Sequence, residues 1–222
     1  MSENFYTMNI LITTATEIEL QHIMKKLQTA ENHNIDFCIT GIGCTETTFT
    51  LTKKLLNSNN NLVINAGIAG SFNRDFAIGD VVIVESEIFG NLGITYPDRF
   101  ATLFDEGLAD KNTHPFADGK LICSHINQFN LSKLQRVKGL TVDAASGEKK
   151  QIERLKKTFC ADIETMEGAA FFYVCTKLNI PFLEFRAISN HIEPRDKSKW
   201  NISLAMNNLS KEIFDFINNL HT

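Results

Sequence analysis

Glu167 stands in Thr165-Met166-Glu167-Gly168-Ala169-Ala170, at the expected first turn of a helix that runs on through Phe171, Phe172, Val174, Cys175 and Leu178. A helix apolar nearly all round is a buried helix. Glu167, four residues before Phe171, therefore enters the interior on a face turned toward neighbouring elements. An unpaired carboxylate there is costly, but peptide N–H groups at the helix start, at the positive end of the macrodipole, can hold it ionised. Such an acceptor suits a ligand carrying hydroxyls, and a helix-capping role bound only to backbone explains it equally well.

A second carboxylate, Glu19, follows the first strand and lies four residues before the apolar Ile23. Glu17, four before Gln21, faces water. Thr14-x-x-Glu17 and Thr16-x-x-Glu19 both fit the S/T-x-x-E capping box, so a structural role stands beside a catalytic one for Glu19. Ser189-Asn190 ends a later strand, and an Asn amide offers a donor and an acceptor in one plane, as a purine edge requires. Gly41-Ile42-Gly43 lacks the third glycine of a dinucleotide fingerprint, since position 46 is Glu46. Gly67-Ile68-Ala69-Gly70 follows a strand without a Lys-Ser/Thr pair, which argues against a triphosphate site. Its small residues allow either a ligand or tight packing.

The elements that position these groups alternate between short Ile/Val-rich runs and helical patterns, which implies an α/β fold with a mainly parallel sheet. Strands are expected at 8–13, 35–40, 62–65, 79–84, 140–142, 161–165 and 182–188. Helical stripes comprise Leu20, Ile23, Met24 and Leu27, then Leu51, Leu55 and Leu56, and finally Ile202, Met206, Leu209, Ile213, Phe216 and Leu220. A charged helix is expected from about Gly147, capped by Ser146. Residues 94–118 show only a helical hint near 100–104 and read as a lid or a partner-facing insertion. Ligands of open α/β sheets bind beyond the carboxyl ends of the strands, which is where Glu19, the Gly67 to Gly70 turn, Met166-Glu167 and Ser189-Asn190 fall.

The chain has 222 residues and a formal charge of -4, with basic residues scattered along it. That length suits a single domain, 1–222, and that charge excludes a general nucleic-acid binder. Five cysteines with no C-x-x-C spacing are expected to be buried reduced thiols. Six separated histidines predict no metal, and no cofactor is called for. The absence of a leader or a membrane-length apolar run points to the cytoplasm.

Taken in order, several motifs carry a resemblance that spans nearly the whole chain. They are Asn65-Ala66-Gly67-Ile68-Ala69-Gly70, Gly79-Asp80-Val81-Val82, Met166-Glu167-Gly168-Ala169-Ala170 and Arg186-Ala187-Ile188-Ser189-Asn190, followed by Pro194-Arg195-Asp196 and Trp200-Asn201. This set resembles the purine nucleoside phosphorylase and nucleosidase superfamily, and within it most closely the futalosine hydrolases of menaquinone biosynthesis. The resemblance implies a single-domain three-layer α/β/α fold with a mixed, mainly parallel central sheet, and a homodimer. It implies hydrolysis of a nucleoside's N-glycosidic bond to release hypoxanthine. Glu19 would activate water, Glu167 would grip the ribose hydroxyls and Met166 would pack on the sugar. Thr165 belongs to the same substrate-contacting stretch. Ala69 and Gly70 would line the sugar pocket, Ser189 and Asn190 would face the base, and Arg186 would support that strand end. Related methylthioadenosine/S-adenosylhomocysteine nucleosidases carry an Asp where this chain has Asn190, a departure that favours a 6-oxopurine. Futalosine's carboxyphenyl tail calls for a cation, for which Arg195, Lys197 and Lys199 are candidates beside their plainer reading as solvated surface.

Overall fold

The computed structural model describes residues 7–28 and 33–220, so both ends of the expected 1–222 domain lie outside the described residues. Along the chain come β1 (Asn9–Thr14), α1 (Glu17–Leu27), β2 (Asn34–Ile39), α2 (Cys44–Leu55), β3 (Leu62–Ser71) and β4 (Val81–Phe89). A short hairpin of β5 (Gly93–Thr95) and β6 (Phe100–Thr102) and a two-residue strand β7 (Leu121–Ile122) come next. The remainder is β8 (Gln135–Thr141), α3 (Lys149–Phe159), β9 (Ile163–Thr165), α4 (Gly168–Lys177), β10 (Phe182–His191) and α5 (Ile202–Asn218).

The central sheet is mixed and mainly parallel, in the order β10, β4, β8, β9, β3, β1, β2, with β7 added on β4. Because β10 also pairs with β3, the sheet closes on itself. Helices cover it as two packed pairs, α1 with α5 and α2 with α4. Ile10, Leu11 and Ile12 of β1 and Leu62, Val63 and Ile64 of β3 are all buried. Strands covered on both faces read as unbroken apolar runs, which is why they were visible in the sequence.

Strand β3 changes neighbours along its length. Leu62 to Asn65 pair with β1, whereas Gly70 and Ser71 pair with β9. Residues 66–69 have no ladder partner on that edge. The expected turn at Gly67 to Gly70 is therefore continuous strand, held on its other edge by β10.

Local departures have simple causes. Met24, Leu56 and Ile202 fit their helical stripes in sequence but are exposed, Leu56 and Ile202 standing at helix ends. The helical hint at 100–104 is strand β6 followed by turns. Ser146 does not cap α3. Its N–H and hydroxyl both bond Glu164, at 2.9 and 2.5 Å, and Glu148 takes the N-cap position without a side-chain bond. Among the cysteines Cys123 and Cys175 are buried, Cys38 and Cys44 half-buried and Cys160 exposed. Cys160 closes α3 in the left-handed conformation, φ 49°, which carries its side chain to the surface.

Candidate active site

Glu19 takes the capping role its sequence allowed. Thr16 N and Thr16 Oγ1 donate to Glu19 Oε2 at 3.0 and 2.8 Å, and Glu19 N donates to Thr16 Oγ1 at 3.3 Å, completing a capping box at the start of α1. The other carboxylate oxygen points toward the unpaired edge of β3, where Ile68 N donates to Oε1 at 3.4 Å. Capping thus fixes the rotamer and leaves one oxygen directed at the gap. Glu17 is exposed and bonded to Gln21 at 3.1 Å, as its spacing suggested.

Glu167 is the N-cap residue of α4, one position earlier than expected, and it is buried. Its carboxylate does not bond the start of its own helix. Gly43, the N-cap residue of α2, donates its N–H to Glu167 Oε1 at 3.0 Å. This is the role of the Gly41-Ile42-Gly43 turn. At φ 86° and ψ 168°, Gly43 occupies a region nearly restricted to glycine. Burial pushes the Glu167 carboxyl above the ordinary range, while Arg186 and the Gly43 N–H pull the other way.

Arg186 lies close to Glu19 and within electrostatic reach of Glu167. Its Nε donates to Glu184 Oε1 at 2.6 Å, and both side chains are enclosed, at 2% and 0% exposure. Burial alone would lower this guanidinium's pKa, but Glu184, Glu167 and Glu19 hold it above its ordinary value. A methyl group on Gly67 would collide with Arg186 Nη1 and come within 3.0 Å of Glu19 Oε1. Gly67 is small to admit this arginine, a cause that neither ligand approach nor simple packing had named.

Asn190 lies where β10 meets Gly70, just past a register shift at Ile188/Asn190. Ser189 Oγ is 2.8 Å from Asn190 Oδ1 and 3.2 Å from Ala69 O, and Asn190 Nδ2 donates to His191 O at 3.1 Å. An amide oxygen has two lone pairs and an amide nitrogen two protons. Each end of Asn190 therefore keeps one hydrogen-bonding position for a ligand. A methyl group on Gly70 would lie 3.3 Å from Asn190 Nδ2 and 2.8 Å from Ile192 Cγ1, so that residue too is held small by its neighbours.

Ala69 is buried beside Ser189 and Met166 is half-buried. The Thr165 hydroxyl is buried and turned inward, among Thr141 Oγ1, Glu87 Oε1 and Gly168 N. Arg195 is exposed, its guanidinium 5.6 Å from the Trp200 ring centroid. Lys199 is paired with Glu193 at 2.6 Å, and Arg195 makes no ion pair among the described residues.

Residues 11–218 match the family model described as Phosphorylase superfamily. The chain belongs to this superfamily. It is 28% identical over 185 residues to a futalosine hydrolase of Thermus thermophilus, covering 78% of this chain and 77% of that one. It is 26% identical over 196 residues to a 5'-methylthioadenosine/S-adenosylhomocysteine nucleosidase of Staphylococcus carnosus, covering 86% and 83%. Among solved structures, futalosine hydrolase of Helicobacter pylori superposes with a TM-score of 0.80 at 18% identity, over 96% of this chain and 99% of that one. The methylthioadenosine/S-adenosylhomocysteine nucleosidase of the same species, bound to butyl-thio-DADMe-Immucillin-A, gives 0.80 at 18%, over 97% and 100%. At that identity the structural likeness carries the fold. The substrate must be argued from this chain's own residues.

Sequence reasoning missed Gly43, Glu184 and Glu87. One of these left a signal. Glu184 and Arg186 alternate within an apolar strand, which puts two charges on one face of a buried element and requires them to pair.

Proposed function

We propose that this superfamily member is a purine nucleosidase of the futalosine hydrolase type, releasing hypoxanthine from the ribosyl portion with water as nucleophile. The observation that carries the reading is Glu19 turned to the gap in β3 beside Arg186, with Glu167 within electrostatic reach of both. Glycosidic cleavage builds positive charge on the ribosyl ring, and anions already fixed beside it stabilise that charge without reorganisation. Glu167 accepts from the ribose hydroxyls. Glu19, with Oε1 toward the gap, takes the proton of the attacking water, a contribution of about a hundredfold to ten-thousandfold in rate. Arg186 sets a positive charge within reach of both carboxylates. Met166, Ala69 and Gly70 enclose the sugar.

Asn190 supports a 6-oxopurine leaving group. The hypoxanthine released carries a proton on N7 and an acceptor at O6, and the free positions of the amide meet both. A 6-amino base presents a donor where Asn190 also offers a donor, and such polar mismatches in a recognition site are strongly penalised.

Water is favoured over phosphate. The cation beside Glu19, Arg186, is enclosed and already bound to Glu184, so an incoming phosphate would meet two carboxylates first. Arg195, exposed and without an ion pair among the described residues, is the cation for the substrate's distal carboxylate. The chain acts as a homodimer, a reading supported by the exposed apolar side chains of Phe49 on α2 and of Ile42 and Leu56 just beyond its two ends.

Chromatography of products from futalosine, its 6-amino analogue, methylthioadenosine and inosine, with and without phosphate, tests the reading. Hypoxanthine from futalosine without phosphate is the expected result. Absolute dependence on phosphate would make the chain a phosphorylase. Preference for either 6-amino substrate would make it a methylthioadenosine or aminodeoxyfutalosine nucleosidase.

A further inference from the structure

Beneath the proposed ribose site lies a second carboxyl group that the reaction does not use. Glu87, on β4, is fully buried, and the surrounding backbone is shaped to hold it. A methyl group on Gly139 or on Gly168 would overlap Glu87 Oε1, so β8 and the first residue of α4 are both glycine where this side chain passes. The same methyl group on Gly168 would lie 2.8 Å from Glu184 Oε1, so the two carboxyls face each other under the start of α4.

Glu87 is linked to α4 by two hydroxyls. Thr141 Oγ1 donates to Glu87 Oε2 at 2.8 Å and accepts the N–H of Ala169 at 2.7 Å. Thr165 Oγ1 lies 3.4 Å from Glu87 Oε1 and accepts the N–H of Gly168 at 3.3 Å. The first two free N–H groups of α4 are thereby satisfied through threonines that end on Glu87, instead of by a side chain of the helix's own N-cap residue. That N-cap residue is Glu167.

The proton balance follows from the neighbours. The charged or titratable groups facing Glu87 are Glu184 and Arg186 on β10 and Cys44 on α2, while Glu167 at the start of α4, Cys175 within α4 and Cys123 after β7 face Glu184. Arg186 is the cation of this group, and Glu184 is bonded to it. The Glu184 oxygen set against Glu87 is Oε1, which Arg186 already bonds, and the Asn65 amide is a further donor to Glu184. A second carboxylate at Glu87 would set two like charges together without water, which a carboxylic acid avoids. Burial, and then the charge of Glu184, push Glu87 well above the ordinary carboxyl range.

We infer that Glu87 is a positioning residue held as a neutral acid beside Glu184 and, through Thr141 and Thr165, fixes the start of α4 so that Glu167 meets the ribose. The inference rests on the ribose-binding reading of Glu167. Two variants test it, Glu87→Gln, which keeps shape and a donor, and Glu87→Met, which keeps only volume. Glu87→Gln should leave the KM for the nucleoside within about twofold, and Glu87→Met should raise it about tenfold or more, or about 1.4 kcal/mol. Inhibition by free hypoxanthine should be unchanged in both. Wild-type KM should also rise at alkaline pH, as Glu87 loses its proton, and Glu87→Gln should lack that rise. Independently of any substrate, the infrared spectrum at neutral pH should show a protonated-carboxyl stretch that Glu87→Gln removes.

Equal KM losses in both variants, or a Glu87→Met loss shared by nucleoside and free base, would overturn the positioning role. Absence of the infrared band would overturn the neutral acid. If Glu87→Met does not fold, the infrared band and the alkaline KM of Glu87→Gln decide. A band present together with a normal Glu167→Gln enzyme would instead refute the reading of the ribose site.

Discussion

The N–H of Gly43 donates to Glu167 Oε1 at 3.0 Å across 124 positions of sequence. One residue with a backbone conformation reserved for glycine thereby orients the carboxylate proposed to hold the sugar. Gly43→Ala places a side chain at φ 86°, ψ 168°, a strain of about 1–3 kcal/mol. The expected outcome is a loss of that size in denaturant unfolding together with a raised KM for nucleosides. A variant that loses stability alone would separate the turn from binding.

Glu19 both caps α1 and faces the gap, and two substitutions distinguish these roles. Glu19→Gln keeps an oxygen for Thr16 N and should melt like the wild type while losing about two to four orders of magnitude in turnover. Glu19→Ala removes the cap as well and should cost about 1 kcal/mol of stability. Normal turnover by Glu19→Gln removes this residue from the chemistry.

Asn190→Asp exchanges a donor for an acceptor at the base. The ratio of kcat/KM for futalosine to that for its 6-amino analogue should fall by about tenfold or more, since a mismatched buried polar group costs about 1–3 kcal/mol. An unchanged ratio would assign the choice of base to other residues.

Arg195→Ala should weaken futalosine by about tenfold, in keeping with about 1.5–3 kcal/mol for a hydrogen bond to a charged group, and leave inosine unaltered. Competition between the two substrates reads this directly. Equal losses would return Arg195 to the solvated surface.

The folded protein binds the Glu167 proton more tightly than the unfolded chain, because burial raises this carboxyl. Two consequences have opposite sign. As pH falls through the raised value, Glu167 gains a proton and nucleoside KM should climb at a pH above the usual glutamate range. The stability linked to that proton is present below the unfolded pKa and is lost as pH rises through the folded one. At neutral pH, Glu167→Gln should therefore melt higher than the wild type while binding nucleosides poorly. A lower melting temperature would mean that the ionised group contributes net stability.

How much of this was legible in the sequence depends on the range of the interaction. The strands near 8–13 and 62–65 showed themselves because both of their faces are apolar, and Glu19 and Glu167 because a charge beside an apolar stripe is unusual. The partner of Glu167 was hidden, since a donor contributed by the Gly43 backbone leaves no side-chain signature. Glu87 was hidden by a register shift. Between Val84 and Ser86 the pairing of β4 with β8 slips, so Glu85 is half-exposed while Glu87 is enclosed, although plain alternation would put both on one face. The inward turn of the Thr165 hydroxyl depends on Glu87 and was hidden with it. The continuation of β3 through Gly67 and Gly70 was lost for a related reason, because glycines that make room for Arg186 and Ile192 look like a turn when those neighbours are unseen.

The exchange of partners along β3 has a consequence for the backbone itself. Four residues of missing ladder lie between the last rung shared with β1 and the first shared with β9, and their peptide groups on that edge must find partners outside the sheet. Glu19 is such a partner, for the N–H of Ile68. Lengthening either neighbouring strand by one rung would hand those peptide groups to a ladder and leave the acid nothing there to hold.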